Sequence, residues 1–357
     1  MGEGGSEAVW GIAGSGKICH DFCIGLMQNK SKVGAVASRR VESAQEFQKT
    51  FADKGFSIEK AYTYKDMVND PQITIVYIGS INTAHKEQAL EAINAGKHVL
   101  LEKPMCMNVA ETEEVVAAAK AKKVFLMEAM WSRFFPATQK IMEILDSGEL
   151  GKVVHVKADF GFMLPMEGEL SGRMWDPKMG GGASYDIGVY PLGFMMMAFK
   201  SMPISVAGAG TLAPTGVDAT GGVTCTFENA GLASISWGLT GAWEEGTLIA
   251  CEKGYIKIET PAHTPTAFSV VRVHESGRGF TSPEKLEFPI TDLPFHKDRA
   301  NYPDTNYPLS EGFLYQAQHV EECIKNGKTE SDQWPFAYSL GTATILEKFR
   351  AQVGYTQ

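Results

Sequence analysis

The chain has 357 residues, 44% of them apolar, and a formal net charge of -9. That length suits two domains with sizeable cores. The acidic balance argues against a nucleic-acid or anionic-membrane partner, since both want a basic surface, and no run of about 18 apolar residues is present to span a bilayer.

Residues 1–8 are rich in Gly and Glu and lack the basic start and apolar stretch of a signal peptide, so they read as a loose tail. The next ~130 residues alternate apolar runs with helix-like stretches. The runs, at 9–13, 33–37, 73–78, 99–101 and 124–127, are rich in Val, Ile and Leu, as strands buried on both faces should be. Between them, 43–51, 85–95 and 110–121 are rich in Ala, Glu, Gln and Lys and predict helices. Strictly alternating β and α predicts a doubly wound parallel sheet.

A linking helix is expected over 136–145, ended at Gly148. The pattern then changes to period two at 153–162. Residues 222–227 and 232–238 flank a turn at 228–231, and 248–251 and 255–258 flank another at 252–254, which predicts two hairpins. Further strands are expected at 268–274 and 285–288, and a helix-like stretch at 184–199 interrupts the block. The rest of 261–308 is Pro- and Asp-rich and reads as long loops. Helices over 310–325 and 335–353 close the chain, the last of them candidates to pack back on the first domain. The expected organisation is a Rossmann domain at 9–130, then an α+β domain at 131–357 with a large, mostly antiparallel open sheet.

The first strand runs into Gly11, Ile12, Ala13, Gly14, Ser15, Gly16, Lys17, Ile18 and Cys19. Gly14-x-Gly16-x-x-Cys19 is a dinucleotide fingerprint whose third glycine is replaced by a small residue. It places Gly11, Gly14, Ser15, Gly16, Lys17 and Ile18 around a pyrophosphate at a helix N-terminus. An acidic residue at the end of the second strand would hold the ribose of NAD. The chain has Ser38, Arg39 and Arg40 there instead, a hydroxyl and two cations that suit the 2′-phosphate of NADP. Glu102, Lys103 and Pro104 end another apolar strand. Carboxyl ends of strands face the ligand crevice in such sheets, so Lys103 is a candidate for the chemistry.

Glu102-Lys103-Pro104, together with Gly14-x-Gly16, Asn82-Thr83-Ala84-His85, Gly180-Gly181-Gly182-Ala183 and Asp186-x-Gly188-x-Tyr190, resembles the glucose–fructose oxidoreductase/inositol dehydrogenase family over nearly the whole chain. Within it, residues 127–136 look like the dihydrodiol dehydrogenase branch, with NADP-dependent D-xylose 1-dehydrogenases nearby. The resemblance implies that Lys103 is catalytic. It also implies that Gly79, Asn82 and His85 lie along the cofactor with Glu102 and Lys103, and that members pair as dimers through the open sheet face. Tyr190 stands where the inositol dehydrogenase branch has His, which implies a tyrosine acid/base and makes an inositol-type substrate less fitting. A free tyrosine titrates near ~10, and a neighbouring ammonium would favour its phenolate. Asp186, four residues earlier, is a candidate to orient Lys103 or the substrate. Trp131, Arg133, Phe160 and Trp175 are candidate pocket walls, suited to an aromatic dihydrodiol or a sugar face.

The implied function is NADP(H)-dependent hydride transfer on a small diol or sugar. A reductase of the 1,5-anhydrofructose type and a catalytically silent NADP-binding sensor remain as alternatives. The six cysteines form no CxxC pair, and histidines and cysteines nowhere cluster at ligand spacing, so no metal is expected and a reducing, cytoplasmic setting is.

Overall fold

The computed structural model describes residues 8–166, 172–274 and 276–355. All of the expected tail except Ala8 lies outside the described residues. The elements in order are β1 (Val9–Ala13), α1 (Lys17–Asn29), β2 (Lys32–Ala37), α2 (Val41–Ala52), β3 (Ile58–Tyr62), α3 (Tyr64–Asn69), β4 (Ile75–Ile78), α4 (His85–Asn94), β5 (His98–Leu101), α5 (Val109–Lys122) and β6 (Leu126–Glu128). Then come α6 (Pro136–Ser147), β7 (Val153–Gly161), α7 (Val189–Phe199), β8 (Ser205–Leu212), β9 (Asp218–Thr226), β10 (Leu232–Gly238), β11 (Thr247–Cys251), β12 (Gly254–Ile258), β13 (Ala267–Arg272) and β14 (Glu284–Glu287). Short α8 (Pro294–Lys297), α9 (Phe313–Lys325) and α10 (Phe336–Val353) complete the chain.

Two compact units result, each discontinuous in sequence. The first comprises Met1–Cys106, Ala110–Phe134 and Ile290–Phe336, and the second Met107–Val109, Phe135–Pro289 and Ala337–Gln357. The final helices thus divide, α9 to the first unit and nearly all of α10 to the second.

In the first unit six parallel strands are ordered β3-β2-β1-β4-β5-β6. This is the doubly wound Rossmann order, in which the strand sequence reverses between β1 and β4. Every residue of β1 and β4 is buried, as helices on both faces require. β3 and α3 were not among the expected elements. β3 is an edge strand with the sequence Ile-Glu-Lys-Ala-Tyr and mostly half-exposed side chains, so the packing that makes an apolar run is missing. α9 belongs to this unit because Trp10 Nε1 donates to Glu321 Oε1 at 2.8 Å and Gln28 Nε2 to the Glu311 carbonyl at 2.8 Å. The Asp21 carboxylate anchors the segment before it, accepting from the backbone N–H groups of Asn306 and Tyr307 at 2.9 Å each.

The second unit holds an eight-stranded sheet ordered β14-β13-β12-β11-β7-β10-β9-β8. Every neighbouring pair is antiparallel except β7 and β10, which run parallel. Both expected hairpins form, β9–β10 and β11–β12. β8 was not expected. It is an edge strand of this sheet, Ser-Val-Ala-Gly-Ala-Gly-Thr-Leu, and is largely exposed. One sheet face carries α10, whose Phe349 meets Trp237 of β10 edge-on at 4.8 Å. The stretch expected as one helix at 184–199 is two elements: Ser184–Gly188 is a π-helical turn and α7 follows it. Such turns are uncommon and recur at functional sites.

Candidate functional site

At the carboxyl ends of β1 and β4 the chain turns tightly. Gly14 has φ +126°, a region that L side chains rarely adopt. Its N–H donates to the Ala37 carbonyl at 2.9 Å, and the Gly79 N–H donates to Ala13 at 3.0 Å. The departure from a third glycine is absorbed locally. Cys19 is fully buried, and its thiol lies 3.4 Å from the Gly79 carbonyl. A side chain on Gly79 would start 2.5 Å from that sulfur, so glycine there leaves the room that Cys19 fills.

Gly16 caps α1 without a side-chain hydrogen bond, and among the described residues nothing lies within 4 Å of where its Cβ would stand. Open space over a helix N-terminus, approached by glycine backbone, fits a pyrophosphate. Ser15 Oγ donates to Ser38 Oγ at 3.2 Å, joining the fingerprint loop to the end of β2. Arg39 and Arg40 are exposed beside it, and Arg40 donates to Ser43 Oγ at 3.1 Å. These residues fit a nicotinamide dinucleotide.

The turn after β5 is held from several sides. Glu102 is buried; its Oε1 accepts from Tyr77 Oη at 2.7 Å and its Oε2 from the Lys103 N–H at 3.2 Å. Burial pushes the Glu102 carboxyl up to about 7, against the opposing pull of the Lys103 ammonium. Lys103 is half-buried and precedes a cis peptide bond to Pro104. The Met105 N–H donates to Glu128 Oε1 at 2.8 Å, and Glu128 Oε2 accepts from Trp334 Nε1 at 3.1 Å.

His85, at the start of α4, is fully buried. Its Nδ1 lies 2.9 Å from the Pro104 carbonyl and its Nε2 3.3 Å from the Ser80 carbonyl. Burial holds the imidazole down near 4, so the ring is neutral and has a single N–H. The shorter distance assigns that proton to Nδ1. His85 therefore braces the Lys103–Pro104 turn against the loop after β4. Asn82 is buried in the same loop.

Trp131 and Arg133 are engaged inside the first unit. Trp131 stacks on Phe313 with centroids 4.3 Å apart, and Arg133 Nε donates to the Gln333 carbonyl at 3.1 Å.

The second unit gathers a different set. Tyr190 opens α7, and Phe160 ends β7, with ring centroids 5.6 Å apart. Asp186, in the π-helical turn, pairs with Arg173 at 2.7 Å, and Trp175 is buried two residues beyond that arginine. His263, absent from the expected residues, stacks on Phe160 at 4.7 Å and 17° and lies 5.5 Å from Tyr190. Its Nδ1 bonds the Glu245 carboxylate. Both sit in loops without hydrophobic periodicity, so nothing local singles them out.

One sequence expectation is corrected by α9. His319 and Cys323 stand four residues apart on one helix face, 3.3 Å between Nε2 and Sγ, and their ligand atoms lie within 4.8 Å of a carboxylate oxygen of Asp332. Histidine and cysteine do therefore meet at ligand spacing. The carboxylate already pairs with Lys328 at 3.0 Å.

Fold and fingerprint together define a nicotinamide-dependent oxidoreductase. The chain belongs to the Gfo/Idh/MocA family. Residues 9–130 match its description "Oxidoreductase family, NAD-binding Rossmann fold", and 138–257 match the family's C-terminal domain. It is 36% identical to the trans-1,2-dihydrobenzene-1,2-diol dehydrogenase of Danio rerio, covering 97% of this chain and 96% of that one. It is 34% identical to the human protein of the same name, over 97% of both. Among solved structures, the aldose-aldose oxidoreductase of Caulobacter crescentus superposes with a TM-score of 0.79 at 22% identity, over 98% of both chains. Levoglucosan dehydrogenase in complex with NADH gives 0.78 at 19%, also over 98% of both. A 3-ketoreductase of Actinomadura kijaniata in complex with NADP gives 0.75 at 20%, again over 98% of both. Among the described residues no helix is long and apolar enough to cross a membrane.

Proposed function

We propose that this enzyme is an NADP-dependent dehydrogenase of a small diol or sugar, with a trans-dihydrodiol or D-xylose as its substrate. The observation that carries this reading is the Lys103 turn. It is braced by Glu102, His85 and Glu128 at the carboxyl end of a central strand, the position where this sheet type places its chemistry. A bound dinucleotide supplies the hydride acceptor.

The chain's own residues hold the substrate and move one proton. As the carbinol hydride leaves, the hydroxyl proton passes to Tyr190 as acid/base, and Lys103 is the second residue that this reading makes catalytic. The reverse reaction reduces the matching carbonyl with the same groups. Asp186 acts through Arg173 to set the wall on which the substrate lies, with Phe160 and Trp175 as its apolar part.

Preference for NADP rests on Ser38, Arg39 and Arg40 where an NAD site would place a carboxylate. The relatives above are named for a trans-dihydrodiol, which favours that substrate over the sugar. Pairing of two copies through the open sheet face belongs to the same reading. That face presents Leu232, Leu248, Ala250 and Tyr255, partly or fully exposed, among Ser234, Ser236 and Lys157. A reducing, cytoplasmic setting fits six cysteines that are all free thiols.

The test is NADPH formation by the purified protein on trans-dihydrobenzenediol, D-xylose, D-glucose and myo-inositol, with NAD in parallel. Turnover of the diol or xylose with NADP and little with NAD supports the reading. NADPH binding without turnover in either direction would replace it with a silent sensor.

A further inference from the structure

The first unit holds a cluster that the proposed chemistry does not use. His319 and Cys323 lie on one face of α9, four residues apart, and Asp332 returns to that face from the loop that follows. The return is built into the end of the helix. Gly327 has φ +66°, and the N–H groups of Gly327 and Lys328 donate to the carbonyls of Ile324 and Cys323, each at 2.9 Å. Such a pair of bonds reverses the chain at a helix C-terminus. The Leu126 N–H then donates to the Thr329 carbonyl at 3.2 Å, so the loop is held between α9 and β6, the edge strand of its sheet.

The His319 imidazole is arranged as a ligand. Phe134 stacks on it with centroids 4.6 Å apart, which fixes the plane of the ring. Ser331 Oγ accepts from the N–H groups of Gln333 at 3.1 Å and Trp334 at 3.0 Å, so its two lone pairs are taken. Its own proton goes to His319 Nε2, 2.8 Å away, which makes Nε2 the lone-pair nitrogen. The buried Cys323 thiol converges on the same nitrogen at 3.3 Å. Two donors thus compete for one lone pair, and a cation shared by nitrogen and sulfur would satisfy both ligands at once.

The spacing suits one cation class. Zinc bound ~2.0 Å from nitrogen and ~2.3 Å from sulfur holds the two about 3.5 Å apart, close to the 3.3 Å found here. A carboxylate oxygen of Asp332 lies within 4.8 Å of both. Its side chain is 66% exposed, which gives an ion a route in, and its ion pair with the equally open Lys328 is of the weak surface kind that yields to a divalent ion. Thiolate, imidazole and carboxylate together favour zinc over magnesium or calcium, which take oxygen ligands.

We infer that His319, Cys323 and Asp332 form a zinc-binding site in which the ion fastens the loop 327–334 to α9 and a water completes the tetrahedron. The thiol gives up its proton as the zinc–sulfur bond forms, so each ion bound releases one proton and no electron moves. The fastened loop is the one that supports the proposed catalytic turn. Trp334 Nε1 donates to Glu128 Oε2 at 3.1 Å, and Glu128 Oε1 takes the Met105 N–H at 2.8 Å, two residues past Lys103.

The test is calorimetric titration of the untagged, reduced full chain with zinc, with magnesium in parallel and cobalt(II) as a spectroscopic stand-in. Wild type should take up about one zinc with a Kd of about 1 μM or tighter, and no magnesium. Cobalt should give a thiolate charge-transfer band in the near ultraviolet. Zinc at roughly a hundred times Kd should raise the melting temperature by about 3 °C and slow hydrogen exchange over 327–334. Cys323→Ser should lose the cobalt band, and it and Asp332→Asn should each bind zinc about tenfold or more weaker, since even residues that only support a ligand are worth that much. Asp332→Asn changes an exposed side chain and carries the test if Cys323→Ser does not fold. A wild type that takes up no zinc, or a folded variant of either kind that binds it as tightly as wild type, would overturn the site. None of these readouts depends on turnover, so the outcome is separate from that of the proposed function.

Discussion

Ser15 Oγ lies 3.2 Å from Ser38 Oγ, so the glycine loop before α1 and the end of β2 are tied by one hydrogen bond. The neighbouring Arg39 is exposed. Arg39→Ala should therefore weaken NADP by about tenfold, ~1.4 kcal/mol, and leave NAD nearly untouched. Titration of both dinucleotides by intrinsic fluorescence checks this. Equal losses with both would remove the 2′-phosphate role from Arg39.

Lys103→Ala should abolish turnover while NADPH affinity stays within about tenfold, since the proposed dinucleotide site is spread over the glycine loop, the start of α1 and the end of β2. Single-turnover assays alongside cofactor titration separate the two effects. Turnover close to that of wild type would sink the proposed mechanism.

Glu102 makes a pH prediction. Its carboxyl titrates near 7 in the folded chain against an ordinary value of 4.5, because burial disfavours the charge. The folded state thus binds the proton more tightly than the unfolded state does. Stability from this group is intact below about 4.5 and falls as pH rises through 4.5 to 7. Glu102→Gln does not titrate. Its stability relative to wild type should rise by roughly 3 kcal/mol between pH 4.5 and 7.5, whatever constant offset its amide introduces against Tyr77 and the Lys103 N–H. Urea denaturation of both proteins at the two pH values measures it, and a difference independent of pH would contradict the buried ionisation.

His85 and His319 slope the other way. Burial holds both imidazoles down near 4, so the stability they contribute is present above about 6.5 and lost as pH falls toward 4. His85→Gln should flatten the acid limb of a melting-temperature profile. It should also lower kcat, because it loosens the Pro104 carbonyl beside Lys103. An acid limb unchanged from wild type would show that His85 is not the group being protonated.

Gly79→Ala would place a methyl 2.5 Å from the Cys19 thiol and 3.0 Å from the Tyr77 ring. The expected loss is about 1–3 kcal/mol of stability, the range for overpacking a well-filled interior. Adding Cys19→Gly should restore part of it by returning the space to the helix–strand contact. Chemical denaturation of the single and double variants shows whether the two positions are coupled.

Sequence alone determined the Rossmann layer, because strands buried on both faces must read as continuous apolar runs. β1, β2, β4, β5 and β6 all announce themselves in that way, and the glycine loop and the Lys103 turn sit on their ends. β3 and β8 were illegible for the converse reason: as edge strands they are half-exposed, and no packing requirement shapes their residues. The unusual Cys19 could be read as small, but only the fold shows Gly79 making room for it. Trp131 and Arg133 have the right chemistry for a pocket, and tertiary packing engages them with Phe313 and Gln333 instead.

His263 and Glu245 mark the limit most clearly. They are 18 residues apart, in loops with no periodicity, and each acquires meaning only when Asp159 sets the backbone of one and Phe160 receives the ring of the other. Local patterning encodes what a residue's nearest neighbours demand. Which loops meet at the end of a sheet is decided by strand order and register, and those exist only once the chain has folded.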